Sequence, residues 1–134
     1  MANPNIAALT TIRGQTAYVV PSTTGVTTSW TFDGTTADAG LNPAANTVHK
    51  ITGLIVSNTT ASAAAATVAV GNNATFGSAT IISYLAYQIS VPANASLIVV
   101  DKTTDLYITE NQSLAVQSGT ANALTYTAIF EAIT

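Results

Sequence analysis

Residues 96–134 read SLIVVDKTTDLYITENQSLAVQSGTANALTYTAIFEAIT, and this stretch decides the fold. Its last run is the clearest. Leu124, Tyr126, Ala128 and Phe130 alternate with Thr125, Thr127 and Glu131, Ile129 being the one exception. A period of two marks a strand with one face on a core. Three further short apolar runs precede it, Ser96 to Val100, Leu106 to Thr109 and Leu114 to Gln117. They are separated by turn-forming clusters at Asp101–Thr104, Glu110–Gln112 and Ser118–Asn122. One-sided strands leave an apolar face that a second sheet must cover, so the upstream chain is expected to supply that layer.

Working back, Ala79 to Val91 is a long strand candidate ended by Pro92-Ala93-Asn94. Its apolar residues divide into Ile81, Leu85, Tyr87, Ile89 and Val91 on one face and Ile82, Tyr84 and Ala86 on the other. Phe76 is the one large apolar residue of the preceding loop and is expected to anchor it. The run Ala61 to Gly71 carries four alanines that favour a helix and Thr67, Val68 and Val70 that favour a strand. A helix between a turn and Gly71 would be short and weakly capped, so strand is expected over Ala65 to Val70. In Val48 to Ser57 both alternating sets are apolar, which predicts a central strand covered on each face. Asp33 to Asn46 is rich in Gly, Ala, Asp and Pro without a period and predicts a long surface loop. Val26 to Phe32, with Thr28, Trp30 and Phe32 on one face, and Gln15 to Val20, stopped by Pro21, complete the strand set. The expected architecture is all-β: a single-domain antiparallel β-sandwich of the jelly-roll or immunoglobulin-like kind, with about eight or nine strands over 15–134. Residues 1–14, opening on Asn3-Pro4-Asn5, are expected to form an extended N-terminal arm or edge strand.

Composition narrows the function classes. Charged residues make up 7% of the 134-residue chain, far below the ~25% usual in globular domains. The three basic residues, Arg13, Lys50 and Lys102, are scattered, so no stripe exists to displace counterions from nucleic acid. There is no cysteine, hence no disulfide and no thiolate metal site. No apolar stretch reaches the ~18 residues of a membrane span, and no basic region precedes an apolar one at the start. Synthesis and retention in a cytoplasm are expected.

Nothing in the spacing selects catalytic, cofactor-binding or metal-binding residues. His49 is the only histidine, and no nucleophile motif accompanies it. Asp101 and Asp105 bracket the turn DKTTD, where Asp is a preferred turn former. Gly71-Asn72-Asn73 lacks the second glycine and the Lys-Ser/Thr pair of a phosphate loop. Trp30, Tyr84, Tyr87, Tyr107, Tyr126 and Phe130 are expected in the core or a subunit interface, with a sugar-stacking platform as the alternative. An enzyme is not expected, and neither is a cofactor.

The opening MANPNI, the run KITGLIVSNTTASAAAATVAV, and above all VPANASLIVVDKTTDLYITENQSL and the ending YTAIFEAIT resemble small virion structural proteins of tailed phages, notably those of marine cyanobacteria. The resemblance covers most of the chain and is densest from Lys50 to Thr134. The loop Asp33 to Asn46 and the alanines 63–66 depart from it. It implies a non-enzymatic β-sandwich subunit of the virion, made in the host cytoplasm. A capsid decoration or cement role is expected, with a receptor- or glycan-binding fibre tip, or a tail-tube or neck component, as alternatives. The implied partners are further copies of the chain, as a trimer, and the major capsid protein or other virion proteins, without nucleic acid or membrane. An extended arm can add main-chain hydrogen bonds to a neighbour's sheet edge, so Asn3, Pro4, Asn5, Ile6, Leu9 and Ile12 are the expected contact residues.

Overall fold

The computed structural model describes residues 8–27, 29–32, 36–39, 41–72 and 81–134. Among these the chain forms eleven strands and two antiparallel sheets packed as a β-sandwich. They are β1 (Ile12–Val19), β2 (Val26–Thr27), β3 (Ser29–Phe32), β4 (Thr36–Ala39), β5 (Val48–Asn58), β6 (Ala64–Gly71), β7 (Ile81–Val91), β8 (Ser96–Val100), β9 (Leu106–Thr109), β10 (Ser113–Ser118) and β11 (Leu124–Ile133). The larger sheet runs β4-β3-β1-β11-β5, and β8 and β9 lie end to end along the far side of β5. The smaller runs β2-β10-β6-β7.

The period of two in β11 does what it predicts. Leu124, Tyr126, Ala128 and Phe130 are buried, and Ile129 points out of the sandwich. They meet Ile51, Leu54 and Val56 of β5, Ile108 of β9, Trp30 of β3, and Val68 and Leu114 of the small sheet in one continuous core. Each such aliphatic side chain contributes roughly 1.5–3 kcal/mol when fully buried. Hydrogen bonds join the layers as well. Tyr126 of β11 reaches through the core to donate its hydroxyl to the Gln117 carbonyl of β10 at 2.6 Å. Trp30 Nε1 donates to the Leu114 carbonyl at 3.2 Å, and Asn58 Nδ2 to the Val91 carbonyl of β7 at 2.9 Å. The expected turns are present, with Asn94, Asn111 and Asn122 at positive φ, a conformation Asn tolerates better than most residues.

Several expectations require correction. Val26 to Phe32 is not one strand: β2 pairs with β10 in the small sheet and β3 with β1 in the large one, so the chain changes layer between them. The expected loop Asp33 to Asn46 contains β4, which pairs with β3 over Thr36–Ala39. A two-stranded edge ladder is made by main-chain bonds and needs no apolar period to form. These two differences raise nine expected strands to eleven. β5 is central, but no described element covers its outer face, where Lys50, Thr52, Ile55 and Ser57 are half-buried. Both of its alternating sets look apolar because a bulge at Thr52-Gly53 shifts the phase, so that Ile51 and then Leu54 and Val56 all point inward. In β7 a similar irregularity around Gln88, at φ 50°, buries Ala86 and Val91 together, where strict alternation puts them on opposite faces. Strand β6 covers Ala64–Gly71, so the alanine run is extended and not helical.

At the N-terminus, pairing with β11 begins at Ile12 and runs unbroken through Gly14 and Gln15, so residues 12–14, expected in an arm or edge strand, are part of β1. The main chain of Thr10 and Thr11 also bonds to Thr134. Residues 1–7 and the loop around Phe76 lie outside the described residues.

Candidate functional site

The titratable residues do not converge. His49 is buried at the start of β5, its Nδ1 3.0 Å from the Leu41 carbonyl and its ring 4.8 Å from that of Phe130. Burial pushes its pKa below the ordinary histidine value, opposed in part by the bond to Leu41. It is a neutral structural group that ties the segment after β4 to the core. Asp101 closes its own turn, accepting from the Thr103 amide at 2.8 Å and the Thr103 hydroxyl at 2.7 Å, and these bonds hold its carboxyl below the usual range. Asp105 instead pairs across the β5–β9 ladder with Lys50, Nζ to Oδ2 3.0 Å, which raises the lysine. Among the described residues no three His, Cys, Asp or Glu side chains lie together as a metal site would require.

The distinctive surfaces are the outer faces of the sheets. On the large sheet, Tyr18 (β1), Thr127 (β11), Ile55 (β5) and Ile98 (β8) form one cross-strand row, and Gly14, Glu131, Lys50 and Tyr107 (β9) form another. Between them lie Thr16, Ile129 and Gly53. Ile98 is 65% exposed, Tyr107 54%, Tyr18 44% and Ile129 42%, high values for large apolar side chains that share a face. Where Gly14 offers no side chain, the face dips into an open depression of ≈ 650 Å³, bordered by Arg13, Thr16, Thr52, Ile129 and Glu131.

On the small sheet, Ala69 and Ala115 floor a shallow trough beside Ile81, Tyr84, Val26 and Gln117. Tyr84 is 51% and Tyr87 57% exposed, and their rings meet edge to face at 4.8 Å. The aromatics named from sequence thus divide. Trp30, Tyr126 and Phe130 are core, while Tyr84, Tyr87 and Tyr107 are surface.

Of the expected contact residues, Asn3, Pro4, Asn5 and Ile6 lie outside the described residues. Leu9 is half-buried, and Ile12 is exposed at the start of β1. Among the described residues, β3 covers only Ala17 and Tyr18 of the outer edge of β1, leaving the Ile12–Thr16 part of that edge unpaired. The two outer faces were missed from sequence, because a row across four strands exists only once register is known. No family model, curated protein or solved structure matches this chain.

Proposed function

We propose that this chain is a non-enzymatic structural subunit of a tailed-phage particle, acting as a capsid decoration protein that stabilises the head lattice through contacts with the major capsid protein and with its own copies. The resemblance over Val91–Leu114 and Tyr126–Thr134 supports the class. The observation that carries the role is the large sheet's outer face: apolar side chains are set among Ser and Thr with few charges, as suits a surface covered by protein. The Ile12–Thr16 edge, unpaired among the described residues, offers a second contact by strand addition. Quantitative mass spectrometry of purified particles tests the reading. Hundreds of copies per particle are expected, tens or fewer would favour a fibre tip, and absence from the particle would refute it.

A second reading, a glycan-binding tip domain, is favoured by the exposed, edge-to-face Tyr84–Tyr87 pair beside the alanine-floored trough, since an exposed aromatic ring can present its flat face to a sugar. Saturable binding in a glycan screen, lost in Tyr84→Ser, would move the assignment to it.

A further inference from the structure

We propose that the outer face of the large sheet binds a second copy of this chain about a two-fold axis that lies in the interface and follows the seam between β11 and β5. The inference does not depend on a role in a virion, because it comes from the register, exposure and shape of that face.

A two-fold axis along that seam lays β11 of one copy on β5 of the other, and β1 on β8 and β9. Residues of one cross-strand row then face residues of the same row in the partner, in reversed order. In the row Gly14–Glu131–Lys50–Tyr107, this places Glu131 against Lys50 and Lys50 against Glu131. The ends match in shape. Tyr107, an exposed ring, faces the depression left by Gly14, where a Cβ would meet nothing within 4 Å. In the row Tyr18–Thr127–Ile55–Ile98, Tyr18 faces Ile98 and Thr127 faces Ile55, so the exposed Ile98 gains an aromatic cover. Ile129 leans across the seam, its Cδ1 3.3 Å from the position a Gly53 Cβ would take, so two Ile129 side chains meet at the axis.

Charge, size and polarity are therefore each self-complementary about one line, the requirement for an isologous contact. The second carboxylate of each face, Asp105, is held by Lys50 of its own chain at 3.0 Å. Stacked sheets cross at about 30°, which displaces strands ~7 Å from the axis by ~4 Å, about half the row spacing and within reach of a side chain. With the next row, Ile12–Ile133–Val48–Thr109, four strands ~4.8 Å apart and four rows ~6.8 Å apart give a projected footprint on the order of 500 Å². The accessible area of a face studded with side chains exceeds its projection, which brings it near the ~800 Å² per partner of a standard interface.

The test is sedimentation equilibrium on the full chain at up to about 0.1 mM, a range in which micromolar association is well populated. The wild type is expected as a monomer–dimer equilibrium. Lys50→Glu and Glu131→Lys are each expected to weaken it at least tenfold. Mixing the two in equal amounts restores dimers, since every facing pair is then opposite in sign, a recovery that no effect within one chain can produce. Gly14→Trp fills the depression from a position where a Cβ meets nothing within 4 Å and is expected to weaken association to the same degree. Tyr84→Ser, on the other sheet, leaves it unchanged. A wild-type chain that stays monomeric or forms trimers, a mixture that does not recover, or a Gly14→Trp chain that still dimerises would each overturn the proposal.

Discussion

Tyr126→Phe isolates one of the bonds that hold the two sheets in place. The substitution keeps the ring, which is fully buried, and removes only the hydroxyl that donates to the Gln117 carbonyl at 2.6 Å. A neutral intramolecular hydrogen bond is worth about 0.5–1.5 kcal/mol net, and an acceptor left buried without its partner raises the cost, so a loss of about 1–2 kcal/mol is expected. Urea unfolding followed by the fluorescence of Trp30, the only tryptophan, reads it directly. With a slope of ~2 kcal/mol per molar urea, the midpoint falls by roughly 0.5–1 M at unchanged slope. Tyr107→Phe, on the exposed outer face, stays within about 0.5 kcal/mol of wild type and serves as the control. Alkaline titration gives a second readout. Burial raises the Tyr126 phenol above its ordinary value, so the unfolded chain loses this proton first and stability falls as pH rises above ~10. Tyr126→Phe lacks that component. A midpoint within ~0.2 M of wild type would refute the idea that this bond couples the layers.

The pKa of His49 is lowered by burial, so the unfolded chain binds a proton that the folded chain does not. Stability is therefore full above ~6.5 and declines as pH falls below it, and equal urea midpoints at pH 7.5 and 5 would contradict this. Because it is the only histidine, His49→Gln flattens that dependence. Asn58→Ala removes buried bonds to the Ser62 and Val91 carbonyls and the cap on the Thr60 amide, and a loss of about 2–3 kcal/mol is expected by thermal unfolding. Ser113→Ala runs the other way. Its Oγ is buried without a hydrogen-bond partner among the described residues, so the variant should match wild type or gain up to about 1 kcal/mol, and a loss larger than that would show an unrecognised partner.

What could be read from sequence was whatever repeats locally. Leu124 to Phe130 announce one face of a strand every second residue, and Asn94, Asn111 and Asn122 mark turns by their tolerance of positive φ. The phase of β5 and β7 was not legible, because one extra residue at Thr52-Gly53 or near Gln88 inverts the alternation without leaving a compositional trace. Trp30 and Tyr126 could be named as core candidates, but their bonds to Leu114 and Gln117 join positions 84 and 9 residues apart. Such pairings follow from sheet order, which many sequences of this pattern could satisfy differently. The same holds for the proposed surface, since the opposition of Glu131 to Lys50 appears only when three ladders are in register.

Stability and assembly occupy different residues in this molecule, and that separation can be tested. The inward residues of β5 and β11 carry the core, and Trp30, Tyr126 and Asn58 fasten it across the layers. Ile98, Tyr107 and Ile129 point the opposite way and contribute little to a lone chain, since their burial on folding is incomplete. With three basic and six acidic residues, the surface has little charge to keep copies apart, so exposed apolar rows favour contact over solvation. Ile98→Thr should therefore leave the unfolding midpoint of dilute protein within about 0.5 kcal/mol of wild type while weakening self-association, and Tyr126→Phe should do the reverse. If Ile98→Thr destabilised the dilute monomer as strongly as Tyr126→Phe does, the outer face would be part of the fold's own support and could not be a surface held for a partner.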